Sequence, residues 1–142
     1  MHLVVEILLA ARTFEKKAQL LFRPYGLTPA QFNVLNCLSD QPDGMRASDL
    51  ARSLIVDPSN VTGMLKRMKK EGLVREIANP GDRRQHVVAL SAKGLEAWTR
   101  CNRAYQRSLR ALDSELTAHE RLVGEAAVRK LAHKAADLET DK

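Results

Sequence analysis

A chain of 142 residues can bury a core as one compact domain without staples, and 44% hydrophobic with 28% charged side chains is ordinary for a soluble globular protein. Aromatic residues make up only 4%, so the core must be Leu, Val, Ile and Ala, an inventory suited to helices; two distant cysteines without metal-ligand spacing exclude a disulfide scaffold and predict a cytoplasmic protein. The net charge of +6 is concentrated: residues 46–93 hold ten basic and five acidic side chains, against four of each in 1–45 and nine basic and eight acidic in 94–142, so the middle third is the part suited to a polyanion.

The apolar opening, Leu3–Ala10, contains Glu6, lacks a basic leader and is too short to span a membrane. It begins a long amphipathic helix, with Leu3, Val4, Ile7, Leu8, Ala11, Phe14, Ala18, Leu21 and Phe22 on one face and an end expected at Arg23, before Pro24 and Gly26. Thr28-Pro29-Ala30-Gln31 is a capping box with proline at the first helical position, predicting a second helix over Pro29–Ser39. After the turn residues Asp40–Gly44, Ala47–Leu54 reads as a short helix with Leu50, Ala51 and Leu54 inward. A tight turn at Ile55–Val56 leads to Asp57 as N-cap and Pro58 as first residue of a helix that closes on Lys69, Lys70 and Gly72.

Two β-like runs follow, Leu73–Ala78 and Gln85–Leu90, joined by a basic tip at Asn79–Arg84 in which Pro80-Gly81 suits a type II turn. Ser91 can cap a long helix whose Leu95, Trp98, Asn102, Tyr105, Leu109 and Leu112 form a seam for another helix. A second capping box, Thr117-Ala118-His119-Glu120, opens a final helix carrying Leu122, Val123, Val128, Leu131, Ala135 and Leu138.

Short helix, tight turn, helix and hairpin, in that order, make a winged helix-turn-helix, whose second helix lies in the major groove of DNA. The fold class is therefore mainly α with a small β-hairpin wing. With Val61, Leu65 and Met68 inward, the helix from Pro58 turns Ser59, Asn60, Thr62, Gly63, Lys66, Arg67 and Lys70 outward. Asn60 and Thr62 are placed for base edges, Ser59, Lys66 and Lys70 for phosphates, and Arg67 for either; Arg46 and Ser48 join the DNA-binding candidates. Gly63 costs about 1 kcal/mol of helix stability relative to alanine, which close approach of the backbone to a duplex would justify. In the wing Arg83 and Arg84 suit a narrow minor groove, with Asp82 orienting a neighbouring arginine.

The chain resembles the MarR (multiple antibiotic resistance regulator) family in Leu27-Thr28-Pro29-Ala30-Gln31-Phe32-Asn33-Val34-Leu35, Asp49-Leu50-Ala51, Asn60-Val61-Thr62, Lys70-Glu71-Gly72-Leu73-Val74-Arg75, Asp82-Arg83-Arg84 and Leu90-Ser91-Ala92-Lys93-Gly94. The resemblance spans essentially the whole chain and implies one domain: dimerisation helices at 1–26 and 113–142, a DNA-binding lobe at 27–93 and a connecting helix at 91–112. It further implies a homodimer on a pseudo-palindromic operator. Asp82 and Arg84 fill the family's Asp-x-Arg wing motif, and Thr62 falls where a recognition-helix threonine is common, whereas Gly63 falls where a larger residue is frequent.

The same resemblance implies a small phenolic or lipophilic effector, with Tyr25, Phe32 and Trp98 near its pocket, and repression as the commoner behaviour. An aromatic at helical spacing is more usually a core residue than a pocket-lining one. Cys37 and Cys101 are the residues a thiol redox-sensing regulator of this fold would use, although the first helix, where the resemblance puts the reactive cysteine, has none. No cofactor or metal site is expected, since His2, His86, His119 and His133 lack ligand spacing, and no catalytic motif is visible. The competing reading is a basic helical module that meets an acidic protein.

Overall fold

The computed structural model describes residues 2–54 and 58–138, without the side chains at 58 and 59. The elements run α1 (Leu3–Phe22), a single 3-10 turn (Arg23–Tyr25), α2 (Pro29–Leu38), α3 (Ala47–Leu54), α4 (Pro58–Lys70), β1 (Val74–Ala78), β2 (His86–Leu90), α5 (Ala92–Asp113) and α6 (Ala118–Ala136). The expected Asp57 N-cap and the Ile55–Val56 turn lie outside the described residues.

Local chemistry explains the boundaries. At Thr28 the hydroxyl accepts from the Gln31 backbone N–H at 3.2 Å while the Gln31 carboxamide oxygen accepts from the Thr28 N–H at 3.0 Å, so both halves of the capping box form. Thr117 and Glu120 repeat it at the start of α6, and these bonds hold the Glu120 carboxyl below its ordinary range. After α4, Gly72 adopts φ +77°, a left-handed conformation that glycine takes without steric cost.

Contacts divide the chain into two compact units, Ala18–Ala104 and the segments on either side of it. The first is larger than the lobe expected at 27–93 because Phe22 of α1 stacks on Phe32 of α2, ring centroids 4.5 Å apart, and Cys101 and Ala104 of α5 are buried too. Its core is Phe32, Val34, Leu35 and Leu38 from α2, Leu50 and Ala51 from α3, Val61, Leu65 and Met68 from α4, and Val87–Ala89 from β2. The inward stripe predicted for α4 is therefore the one that is buried.

The strands pair antiparallel with Val74 opposite Leu90 and Ala78 opposite His86. Met45 exchanges two 2.8 Å backbone hydrogen bonds with Val88 and thereby pins the α2–α3 connection to β2. This pairing explains Gly44, at φ +76°, where a side chain would collide with the Val88 carbonyl.

The end of α4 is clamped to the start of α5. The Ser91 hydroxyl donates to the Gly72 carbonyl at 2.5 Å and accepts from the Gly94 N–H at 2.9 Å, and Lys93 Nζ donates to the Glu71 carbonyl at 2.7 Å. Gly94 sits so tightly that a Cβ would overlap the Leu73 carbonyl oxygen. Gln31 of α2 adds a third tie to the end of α4, its amide donating to Glu71 Oε2 at 2.9 Å.

The other unit holds the start of α1, the end of α5 and all of α6. Its apolar positions keep helical spacing yet are exposed: Leu3, Leu8, Phe14, Leu112, Leu122 and Val123 all show half or more of their surface. Among the described residues of α6 none is buried.

Candidate nucleic-acid interface

Helix α4 presents two opposite faces. Val61, Leu65 and Met68 anchor one in the core, and Asn60, Thr62, Gly63, Lys66, Arg67 and Lys70 lie exposed on the other, as the 3.6-residue period requires. The side chain of Ser59 lies outside the described set. Lys69 is not available in the same way, because its Nζ pairs with Glu76 Oε2 on β1 at 2.7 Å, a bond that also lowers the Glu76 carboxyl below its usual range. That pair ties the helix to the wing and was not legible in the sequence, since it joins residues on different elements.

Beside α4 an open groove of about 330 Å³ runs between the helix and the hairpin, lined among others by Thr62, Lys66, Lys69, Arg75 and His86. Arg75 and His86 were missed by sequence reasoning; strand pairing sets Arg75 opposite Ala89 near the hairpin's open end and His86 opposite Ala78 at its loop end, and both reach the groove only through that pairing. Arg75 Nε is engaged by the Leu90 carbonyl at 3.1 Å, so its guanidinium is held in place.

The wing tip is ordered by its own side chains. Asn79 Oδ1 accepts from the Gly81 N–H at 2.9 Å, the Asp82 N–H donates to the Asn79 carbonyl at 3.1 Å, and Gln85 closes the loop on Asn79 at 2.8 Å. Gly81 does not adopt a positive φ, so the expected type II turn at Pro80-Gly81 is not formed; the Asn79 side chain dictates the turn instead. Asp82 has an orienting role of a different kind from the one expected. Its Oδ1 accepts from the backbone N–H of Arg84 at 3.0 Å, and among the described residues no arginine side chain pairs with it. The carboxylate thus fixes the backbone that carries Arg83 and Arg84, both exposed.

Arg46 and Ser48 are exposed at the start of α3. Arg46 Nε donates to Asp49 Oδ2 at 2.8 Å, and Arg52 pairs with the other oxygen of the same carboxylate. The pairing lowers the Asp49 carboxyl and raises the Arg46 guanidinium. Arg46 therefore projects as a braced cation rather than a free one.

The three aromatic residues expected near an effector pocket are not brought together. Phe32 is a core residue, 1% exposed and stacked on Phe22. Trp98 is half-buried, its indole N–H donating to Asn36 Oδ1 at 3.1 Å. Tyr25 lines a cavity of about 250 Å³ with Lys93, Glu96, Ala97 and Arg100. The cysteines lie on α2 and α5, not on α4 or the wing: burial pushes the Cys101 thiol up to about 11 and raises Cys37, which suppresses the thiolate that redox chemistry needs. Among the described residues no His, Cys, Asp and Glu cluster has metal-binding geometry, and no helix is long and apolar enough to cross a membrane.

A MarR family model matches residues 27–86, the segment from the α2 cap to the start of β2. The chain is 31% identical over 104 residues to the homoprotocatechuate degradative operon repressor of Escherichia coli, covering 70% of this chain and 69% of that one. It is 39% identical over 75 residues to the transcriptional activatory protein BadR of Rhodopseudomonas palustris, covering 51% of this chain and 43% of that relative, so the chain matches less than half of BadR's length. Among solved structures, the transcriptional repressor CouR bound to a 23-mer DNA duplex superposes with a TM-score of 0.79 at 26% identity, covering 92% of each chain. These relatives are transcription regulators and not enzymes. With a winged helix-turn-helix whose cationic face is open and whose relatives share both sequence and architecture, the chain belongs to the MarR family.

Proposed function

We propose that this protein is a sequence-specific transcription repressor that binds duplex DNA as a homodimer in the cytoplasm. The observation that carries the proposal is the pairing, on one lobe, of an outward helix face bearing Lys66, Arg67 and Lys70 with a wing that bears Arg83 and Arg84, all exposed. Asn60 and Thr62 supply base-reading groups near the helix N-terminus, Lys66 and Lys70 hold phosphates, Arg67 serves either role, and the wing arginines enter the adjacent minor groove. The exposed apolar faces of α1, α5 and α6 support burial against a second copy, and two-fold pairing sets two α4 helices on successive half-sites of a palindrome.

Release by a small ligand completes the proposal. The cavity beside Tyr25 offers a phenol and, alongside Glu96, the cations Arg100 and Lys93, the latter also bonded to the Glu71 carbonyl, and this lining supports a small phenolic ligand. The naming of one relative as repressor of a homoprotocatechuate degradative operon supports that chemical class. Such a ligand acts only through differential affinity for DNA-competent and incompetent states.

Selection of duplexes from a random-sequence library tests the central claim. Enrichment of a palindrome, with affinity that falls steeply as salt rises, is expected. Binding without sequence preference at moderate salt, or preference for an acidic protein over DNA, would overturn it.

A further inference from the structure

Three helical glycines sit in α4, α5 and α6: Gly94 is tightly enclosed, whereas a Cβ at Gly63 or Gly124 would meet nothing within 4 Å among the described residues, and of these two only Gly63 lies on the cationic face of α4. Gly94 on α5 is required by the protein itself, because a side chain there would overlap the Leu73 carbonyl. Gly63 on α4 is not: a Cβ built on it meets nothing within 4 Å and its φ is not left-handed. The free protein thus keeps, in the middle of a 13-residue helix, the residue that weakens the helix most short of proline, with no contact among the described residues to account for it.

Its position on the helix supplies the reason. At 100° per residue, Gly63 falls opposite the stripe of Val61, Leu65 and Met68, at the crest of the outward face. Helical side chains lean toward the N-terminus, so Lys66 and Arg67, three and four residues later, lean over the turn that contains Gly63. The crest is therefore a notch of bare backbone, with Lys66 and Arg67 one turn further along the same outward face.

We propose that Gly63 is a specificity-determining residue: the notch lets the α4 backbone seat directly against base-pair edges in the major groove, at a depth from which Thr62 and Arg67 reach bases. Any side chain at 63 holds the helix away by about the width of a methyl group or more, and groove contacts depend steeply on such distances. Nonspecific binding, which is made to phosphates through long flexible side chains, is far less sensitive to the same displacement. The inference rests on the repressor reading but is separable from it.

The test is Gly63→Ala in the full chain, measured on the duplex that the wild-type protein enriches most from a random-sequence library and on a scrambled duplex of equal length. Alanine is the strongest helix former and has open space here, so the variant's Tm is expected to rise by about 3 °C. Its affinity for the selected duplex is expected to fall about tenfold or more, the size of one disturbed base contact, with the scrambled duplex changed by less than about twofold. A stabilised variant that binds the selected duplex as tightly as wild type overturns the proposal, as do equal losses on both duplexes. A lowered Tm overturns it too, since the glycine would then serve the free fold. Failure of the repressor reading looks different: the wild-type protein itself enriches no duplex, and the role of Gly63 falls with it.

Discussion

The two units of the chain treat their apolar residues in opposite ways. Between Ala18 and Ala104, Phe32, Leu35, Leu50, Val61 and Met68 are shut away from water by neighbours in the same chain, whereas Leu8, Phe14, Leu122 and Val123 in the other unit are between 52% and 69% exposed. Both sets keep helical periodicity, so the difference is not one of pattern. It lies in whether the protomer contains a surface to bury the stripe. The first unit closes its core with helices on a hairpin; the second leaves its stripes exposed, and on that ground their burial against a second copy of the chain is proposed.

The largest effect is expected where that comparison is broken from the outer side. Leu122→Asp combined with Leu8→Asp places charges on the exposed faces and should yield a monomer in sedimentation, with a lobe that still melts cooperatively. Losing the second half-site contact removes the gain of bivalent binding, so affinity for the selected palindrome should fall roughly 10³-fold. A variant that remains dimeric and binds unchanged would show that these faces are not the interface.

Breaking the inner side is expected to cost stability before DNA binding. Gly94→Ala forces a methyl group into the Leu73 carbonyl, at the junction where Ser91 and Lys93 hold the end of α4. Urea unfolding should show a loss of about 3 kcal/mol, the upper range for overpacking a closed site. A loss under about 0.5 kcal/mol would mean that the junction yields easily and is not a clamp.

These two sites also divide what was legible in the sequence from what was not. Both capping boxes, the buried stripe of α4 and the hairpin follow from spacing and propensity, which act over a few residues, and each appears within about two residues of its expected limits. Long-range contacts carry no such signature. Gly94 against Leu73, Gln31 on Glu71, Lys69 on Glu76 and Met45 on Val88 all join segments that only the fold brings together. The same limit explains the aromatic residues: helical spacing marks Phe32 as inward-facing, and only the stacking on Phe22 shows that it fills the core rather than lining a cavity.

A smaller effect is expected at the wing. Arg84 is exposed, and among the described residues only its backbone N–H is held, by Asp82, so Arg84→Ala should leave unfolding unchanged within about 0.5 kcal/mol. Affinity for the selected duplex should fall about tenfold, and the slope of log affinity against log salt should shrink by about one. An unchanged slope in a folded variant would remove the wing from the interface. Asp82→Ala should act in the same direction by loosening the loop, and a measurable effect on salt slope from that neutralising change would have to exceed the gain from removing a negative charge.

The smallest effect concerns Asp49, whose carboxyl is held below its ordinary range first by the Arg46 hydrogen bond and then by Arg52. An acid whose folded-state pKa is depressed contributes stability that is present above its unfolded value, near 3.8, and is lost as pH falls through the lower folded value. The contribution is therefore intact at neutral pH and fades in the acid range below about pH 4. Asp49→Asn removes the titrating group, so its Tm should lie slightly below wild type at about pH 6 and approach it as pH falls through the lowered folded-state value. The pair lies at the surface, where solvent screening keeps such contributions small, and added salt should narrow the gap at pH 6. A gap that is constant across the pH range would assign the loss to packing of the amide and not to the braced arginines. Because Arg46 stands at the start of α3 beside the wing, the same variant separates bracing from charge: if Asp49 serves to aim Arg46, DNA affinity falls despite the removal of a negative charge, whereas an unbraced cation that binds as well or better shows that aim at this position contributes nothing.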